Sequence, residues 1–215
     1  MKSKISVFLS VIVLLTSQFA QAQGTIYLSN LGQSPVGSKP IGNDAWIAQE
    51  FRTGTNASGY ALNSIKVLMN QASGSPSGFN ASIYNLGLNV PGTCLGSLSG
   101  LDPATAGTYV YTASSIELLP SNTYFLVLTS ATPVALGAYT WSAANTYLQN
   151  PVDPWALQNV YFSSADGSSW ASHLRQEVFQ LELSATAAPE PKASVLVGLG
   201  LVVMSFWRRN LRRVK

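Results

Sequence analysis

Val178-Phe179-Gln180-Leu181-Glu182-Leu183 alternates side chains with a period of two: Phe179, Leu181 and Leu183 fall on one face, Gln180 and Glu182 on the other. Phe79-Asn80-Ala81-Ser82-Ile83-Tyr84 repeats the pattern, with Phe79, Ala81 and Ile83 opposite Asn80, Ser82 and Tyr84. Such alternation belongs to half-buried antiparallel strands. Tyr124-Phe125-Leu126-Val127-Leu128 is apolar throughout, which suits a central strand. No stretch between residues 23 and 184 sustains a 3.6-residue apolar period. Turn-forming clusters cut this region at residues 54–59, 74–78, 90–92, 101–103, 120–122 and 165–167. Asp166-Gly167 stands between Val160-Tyr161-Phe162 and the segment holding Trp170, a hairpin signal. The sequence therefore predicts an all-β domain over residues 23–184, an antiparallel β-sandwich or jelly roll of about ten strands. A chain of that length can bury a core without disulfides. Residues 185–188 are expected to form a short linker.

The regions on either side are of another kind. Residues 1–22 carry Lys2 and Lys4, then an apolar run, then Ala20-Gln21-Ala22, the order of a secretory signal peptide. Signal peptidase would cut between Ala22 and Gln23. Residues 193–207 contain no charge, and as a helix they would rise about 22 Å, somewhat short of a hydrocarbon core of about 30 Å. Flanking Lys192 and Arg208 can snorkel to complete a span, and Trp207 suits the interface. Arg208, Arg209, Arg212, Arg213 and Lys215 would hold residues 208–215 in the cytoplasm, leaving the central domain outside.

This division changes the meaning of the charge. The chain has 12 Lys and Arg against 9 Asp and Glu, a net of +3. Only Lys39, Arg52, Lys66 and Arg175 lie in the central domain, facing eight carboxylates, so the domain itself carries −4. The basic balance comes from targeting segments, and nucleic acid is not an expected partner.

Pro189-Glu190-Pro191, the apolar residues 193–207 and the terminal arginines together resemble the PEP-CTERM sorting signal of Gram-negative bacteria, over residues 189–215 and their immediate approach. That resemblance implies recognition by an exosortase, a membrane protease that removes the helix, in bacteria that make exopolysaccharide. The two prolines suit the role physically, since neither helix nor strand runs easily through them. A second resemblance rests on residues 44–54, Pro76-Ser77-Gly78-Phe79, residues 106–113 and Leu119-Pro120-Ser121-Asn122-Thr123-Tyr124. These are similar to the exported "choice-of-anchor" domains, which implies a fold and an extracellular location but no activity.

Chemistry is harder to find. Glycosidases need two carboxylates flanking one bond; Asp44 and Glu50, on either side of Trp46, make the most site-like acidic cluster, and Asn43-Asp44 could open a calcium loop. Asp102 and Asp166 belong to turns, and Glu177 and Glu182 are expected to face solvent from strands. His173 and Cys94 are each the only residue of their type, Cys94 reading as a small residue in or near a strand. No Gly-x-Ser-x-Gly elbow or phosphate loop occurs. No catalytic residue, metal or cofactor is assigned, and the chain is expected not to be an enzyme. Trp46, Trp141, Trp155 and Trp170, with Tyr139, Tyr147 and Tyr161, could instead stack on sugar rings. Among them Trp46, Trp155 and Trp170 are the candidate glycan contacts, Trp155 because it follows Pro154 in a loop and Trp170 because it follows a hairpin turn.

The expected function is that of a non-catalytic exported protein of the envelope or extracellular matrix. It would cross the inner membrane, be anchored by its C-terminal helix, and reach the cell surface or medium after processing. A carbohydrate-binding module for exopolysaccharide is the alternative, and a glycan-active hydrolase the third.

Overall fold

A computed structural model describes residues 24–145, 154–174 and 177–189. Ala20, Ala22, Gln23, Glu190, Pro191, Tyr147, Arg175, the apolar residues 193–207 and Arg208, Arg209, Arg212 and Arg213 lie outside the described residues. Among those described there is no helix, and hence none long and apolar enough to cross a membrane.

Two antiparallel sheets face each other as a β-sandwich. The larger contains β1 (Thr25–Ser29), β2 (Pro35–Ile41), β4 (Tyr60–Gly74), β7 (Gly107–Thr112), β8 (Glu117–Leu118), β10 (Gly137–Ala144), β13 (Val178–Phe179) and β14 (Leu181–Ala187). The smaller runs in the order β12 (Ala171–Leu174), β11 (Ala156–Ser164), β3 (Trp46–Arg52), β9 (Thr123–Thr129), β5 (Asn80–Leu86) and β6 (Pro91–Leu98). The strand count exceeds the ten expected because short pieces such as β8 and β13 carry no periodicity of their own.

The apolar faces of the alternating segments turn inward as their pattern dictates. Ala81 and Ile83 on β5 point into the core, as do Leu181 and Leu183 on β14. They meet Ile65 and Val67 of the large sheet and Phe51, Leu126 and Leu128 of the small one. All five residues from Tyr124 to Leu128 are buried. Phe125 and Val127 turn away from the main core into a second cluster with Ala48 and Phe162 on the outer face of the small sheet. An unbroken apolar strand thus requires cover on both sides, and this one has it.

Three tyrosines fix the approach to their strands. The hydroxyl of Tyr124 accepts from the N–H of Leu119 at 2.7 Å, that of Tyr60 from Asn56 at 3.1 Å, and that of Tyr109 from Thr105 at 3.2 Å. Each clamps a loop four or five residues upstream, the geometry of a tyrosine corner.

Three expectations need correction. Gln180 does not face solvent: it is fully buried, because the last strand changes partners there. Phe179 pairs with Ala143 of β10, whereas Leu181 pairs with Val67 of β4. At the crossing Gln180 accepts a hydrogen bond from Ser142 Oγ at 2.9 Å and donates to the Gln33 carbonyl at 2.7 Å. Nor are residues 185–188 a linker. Ala185, Thr186 and Ala187 pair with Leu62, Ala61 and Tyr60, and the N–H of Ala188 donates to the Gly59 carbonyl at 2.9 Å. Small residues there suggest a tether, but alanine and threonine fit a sheet whenever a partner strand is present. Glu177 and Glu182, expected in solvent, are only partly exposed and pair with Lys39 and Lys66 at 3.5 and 2.7 Å.

Candidate functional site

The hairpin of β11 and β12 forms one wall of an open, partly polar cleft. Its turn follows from Asp166-Gly167. Ser164 Oγ accepts from the N–H groups of Asp166 and Gly167, and Asp166 Oδ1 accepts from the Ser168 N–H at 2.9 Å. These bonds from Ser168 hold the Asp166 carboxyl below its ordinary pKa. Gly167 takes φ of +77°, which glycine adopts freely. A Cβ at that position would fall 2.6 Å from Cζ3 of Trp46, so the turn lies directly on the indole.

Trp46 begins β3, opposite Ser164 of β11. Its Nε1 donates to the Asn43 carbonyl at 3.0 Å, and Trp170 meets it edge to face with centroids 6.4 Å apart. The two tryptophans, with Asp44, Ser163, Ser164 and Ser169, line an open cleft of about 530 Å³. Both indoles remain partly exposed. Hydroxyls arranged around flat apolar rings suit ligands that present C–H faces and hydroxyl groups together.

Trp155 does not join them. It is 1% exposed, stacked on Tyr27 at 5.1 Å and on Phe51 at 6.2 Å, with Tyr60 edge-on at 4.9 Å. The proline before it marks a turn, but the ring falls inward because Leu157 pairs with Phe51 and carries the chain into the core end of β3. Trp141 and Tyr139 are likewise buried. Tyr139 donates to Asp102 at 2.7 Å, and burial, reinforced by that bond, raises its hydroxyl well above the ordinary range. Asp102 also accepts from the Gly78 N–H, which gives this turn aspartate a structural task.

Asp44 and Glu50 are held apart. Asp44 Oδ1 accepts from the Val134 N–H at 2.8 Å, joining the loop before β3 to the loop after β9. Glu50 lies four residues beyond Trp46, about 13 Å along an extended strand, opposite Phe125. Burial beside that ring raises its pKa from the ordinary 4.5. Among the described residues no three His, Cys, Asp or Glu side chains gather as metal ligands. Cys94 lies in β6 and is exposed rather than packed.

One contact escapes a reading of the sequence alone. Ser163 Oγ and His173 Nε2 are 2.8 Å apart, and the imidazole stacks on Tyr161 at 4.4 Å. Ten residues separate the pair, so only the hairpin register, Ser163 opposite Ala171 and Tyr161 opposite His173, brings them together. Asp166-Gly167 fixes that register, and it was the available signal. In comparison with known proteins, no family model matches the chain and no curated protein matches it.

Proposed function

We propose that this chain is a non-catalytic exported protein, sorted through a PEP-CTERM-type signal and exposed at the cell surface or in the extracellular matrix. Signal peptidase would release Gln23 as the first residue. An exosortase in the inner membrane would act at Pro189-Glu190-Pro191 after the C-terminal helix inserts, with Arg208, Arg209, Arg212 and Arg213 in the cytoplasm. Jelly-roll wiring of the "choice-of-anchor" type belongs to the same reading.

The observation that supports it most is where the sandwich stops. Ala188 is bonded to Gly59, and Pro189 follows it exposed and outside any strand. Every core residue of β14 lies upstream, so a cut at the motif would leave the fold whole. Thr25 pairs with Ala185; the two chain segments that would be processed thus leave one end of the domain side by side. Deleting residues 189–215 should move the protein from the membrane fraction to the soluble fraction. Intact mass from the producing cells should begin at Gln23 and end between Pro189 and Lys192. Retention of the truncated protein in membranes would refute the reading.

A second reading is favoured by the cleft between Trp46 and Trp170. It makes the domain a carbohydrate-binding module for exopolysaccharide. Titration with purified exopolysaccharide should quench or shift tryptophan emission, and Trp170→Ala should weaken the response about tenfold or more, the loss of one stacked ring. An unchanged spectrum across a panel of glycans would remove it.

A further inference from the structure

The strand register places several of the described loops at one end of the sandwich or the other. Tyr60 of β4 pairs with Leu118 and Ala187. Thr53, just past β3, donates from Oγ1 to the Leu119 carbonyl at 2.6 Å. Asn85 of β5 pairs with Tyr124 at the start of β9. The exit at Ala188, the entry at Thr25 and the loops 53–59, 86–90 and 119–122 therefore share one end. Trp46 and Trp170 belong to the other, with the loop after β9 that contains Leu136.

The exit end carries leucines that no strand covers. Leu88 is 94% exposed at the tip of the β5–β6 turn, and Leu119 is 62% exposed. Leu86 and Leu95, also exposed, line an open groove of about 410 Å³ together with Leu119 and Tyr124. Loops 53–59, 86–90 and 119–122 contain no charged residue. Glu117 lines the groove itself and Arg52 flanks it; both are exposed and their formal charges are opposite.

Chain length supplies the occupant. Ala188 is pinned to Gly59, and only residues 189–192 separate it from the uncharged run that begins at Ala193. Five residue steps reach at most about 18 Å, whatever their conformation. The headgroup layer of one leaflet takes up about 5–7 Å of that distance.

We propose that the exit end of the sandwich, through Leu88, Leu119, Leu86 and Leu95, docks on the outer surface of the lipid bilayer while the chain remains anchored, so that the Trp46–Trp170 cleft faces away from the membrane. This rests on the anchoring role given above to residues 193–207. Beyond the headgroup layer at most about 11–13 Å of tether remains, which holds the exit end close to the membrane, and an end with little net charge and several exposed leucines loses little on entering the headgroup region. The docked end contains the exit point itself. The junction Pro189-Glu190-Pro191 is thereby kept at membrane depth, within reach of a membrane-embedded protease.

The test uses the full chain in vesicles of phosphatidylethanolamine and phosphatidylglycerol. In a Cys94→Ser background, Leu88→Cys, Leu119→Cys and Leu136→Cys are each labelled with a fluorophore and exposed to lipids bearing a nitroxide near the headgroup. Labels at positions 88 and 119 should be quenched several-fold more than the label at 136, and the difference should persist in high salt. If the protein floats with the vesicles but all three labels are quenched alike, docking is overturned while anchoring stands. Labels at 88 and 119 that are shielded from water yet unquenched by the lipid would mean that a second copy covers this end, which also overturns it. Failure to float would remove the anchoring role and the docking with it.

Discussion

Replacing Gln49 should cost more than replacing any residue of the cleft. Gln49 is fully buried on β3. Its Oε1 accepts from the Phe179 N–H at 3.0 Å, across the sandwich, and its Nε2 donates to the carbonyls of Gln158 at 2.9 Å and Val160 at 3.1 Å. Those carbonyls need it because the register of β11 against β3 jumps between Leu157 and Tyr161, a bulge that takes them out of the ladder. Gln49→Met keeps the volume but removes a partner from one donor, the Phe179 N–H, and from three carbonyls, those of Gln158, Val160 and Glu50. At about 1–3 kcal/mol for each buried polar group left unpaired, and with carbonyls that can recover part of their bonding, the loss is about 3–5 kcal/mol. That is a large share of the 5–15 kcal/mol, roughly, that holds a typical domain folded. At about 2–4 °C per kcal/mol for a domain of this size, Tm should fall by about 6–20 °C. Urea unfolding followed by tryptophan fluorescence measures it directly. Gln71→Met is the control, since Gln71 is exposed and makes one bond to the Ala104 carbonyl. A loss below about 1 kcal/mol for Gln49→Met, with an unchanged m-value, would refute the account of the bulge.

Two further outcomes follow from the same geometry. Gly167→Ala places a methyl 2.6 Å from Trp46 in a left-handed turn, so it should lose about 1–2 kcal/mol and shift the tryptophan emission; a wild-type spectrum and stability would show that the turn does not rest on the indole. Glu50 has its pKa raised by burial: folding favours the protonated form, and the stability this confers is lost as pH rises from about 4.5 through the folded value. Glu50→Gln should therefore be the more stable protein at neutral pH, by less than about 1 kcal/mol given its partial exposure, and the gain should vanish near pH 4. A gain independent of pH would point to packing rather than charge.

Much of the architecture was legible along the chain, because a period of two directs side chains without reference to distant residues. Ala81 with Ile83 and Leu181 with Leu183 could be assigned to the core, and Asp166-Gly167 to a hairpin, from neighbours alone. The candidate site was legible only in part. Trp46 and Trp170 are 124 positions apart; Trp170 stood out because it follows a hairpin turn and Trp46 because acids flank it, and that they meet edge to face depends on β11 pairing with β3.

Trp155 shows where local reasoning stops. The proline before it describes a turn, yet Tyr27, Phe51 and Tyr60 from three other strands enclose the ring. Gln49, Gln180 and Asn30 are the converse: polar by type, buried by position. Asn30 donates to the Phe179 carbonyl at 3.1 Å and accepts from the Leu181 N–H at 2.7 Å, so all three amides gather where the last strand changes partners. The sequence by itself determined the class of fold, the two-sided burial of the Tyr124–Leu128 run and the turn that sets the β11–β12 register. The tertiary structure alone decided which tryptophans reach the surface, that Ala185–Ala187 complete a sheet, and that the chain enters and leaves at the end opposite the cleft. The reason is physical: periodicity fixes which way a side chain points, but only the partner strand determines what it points at.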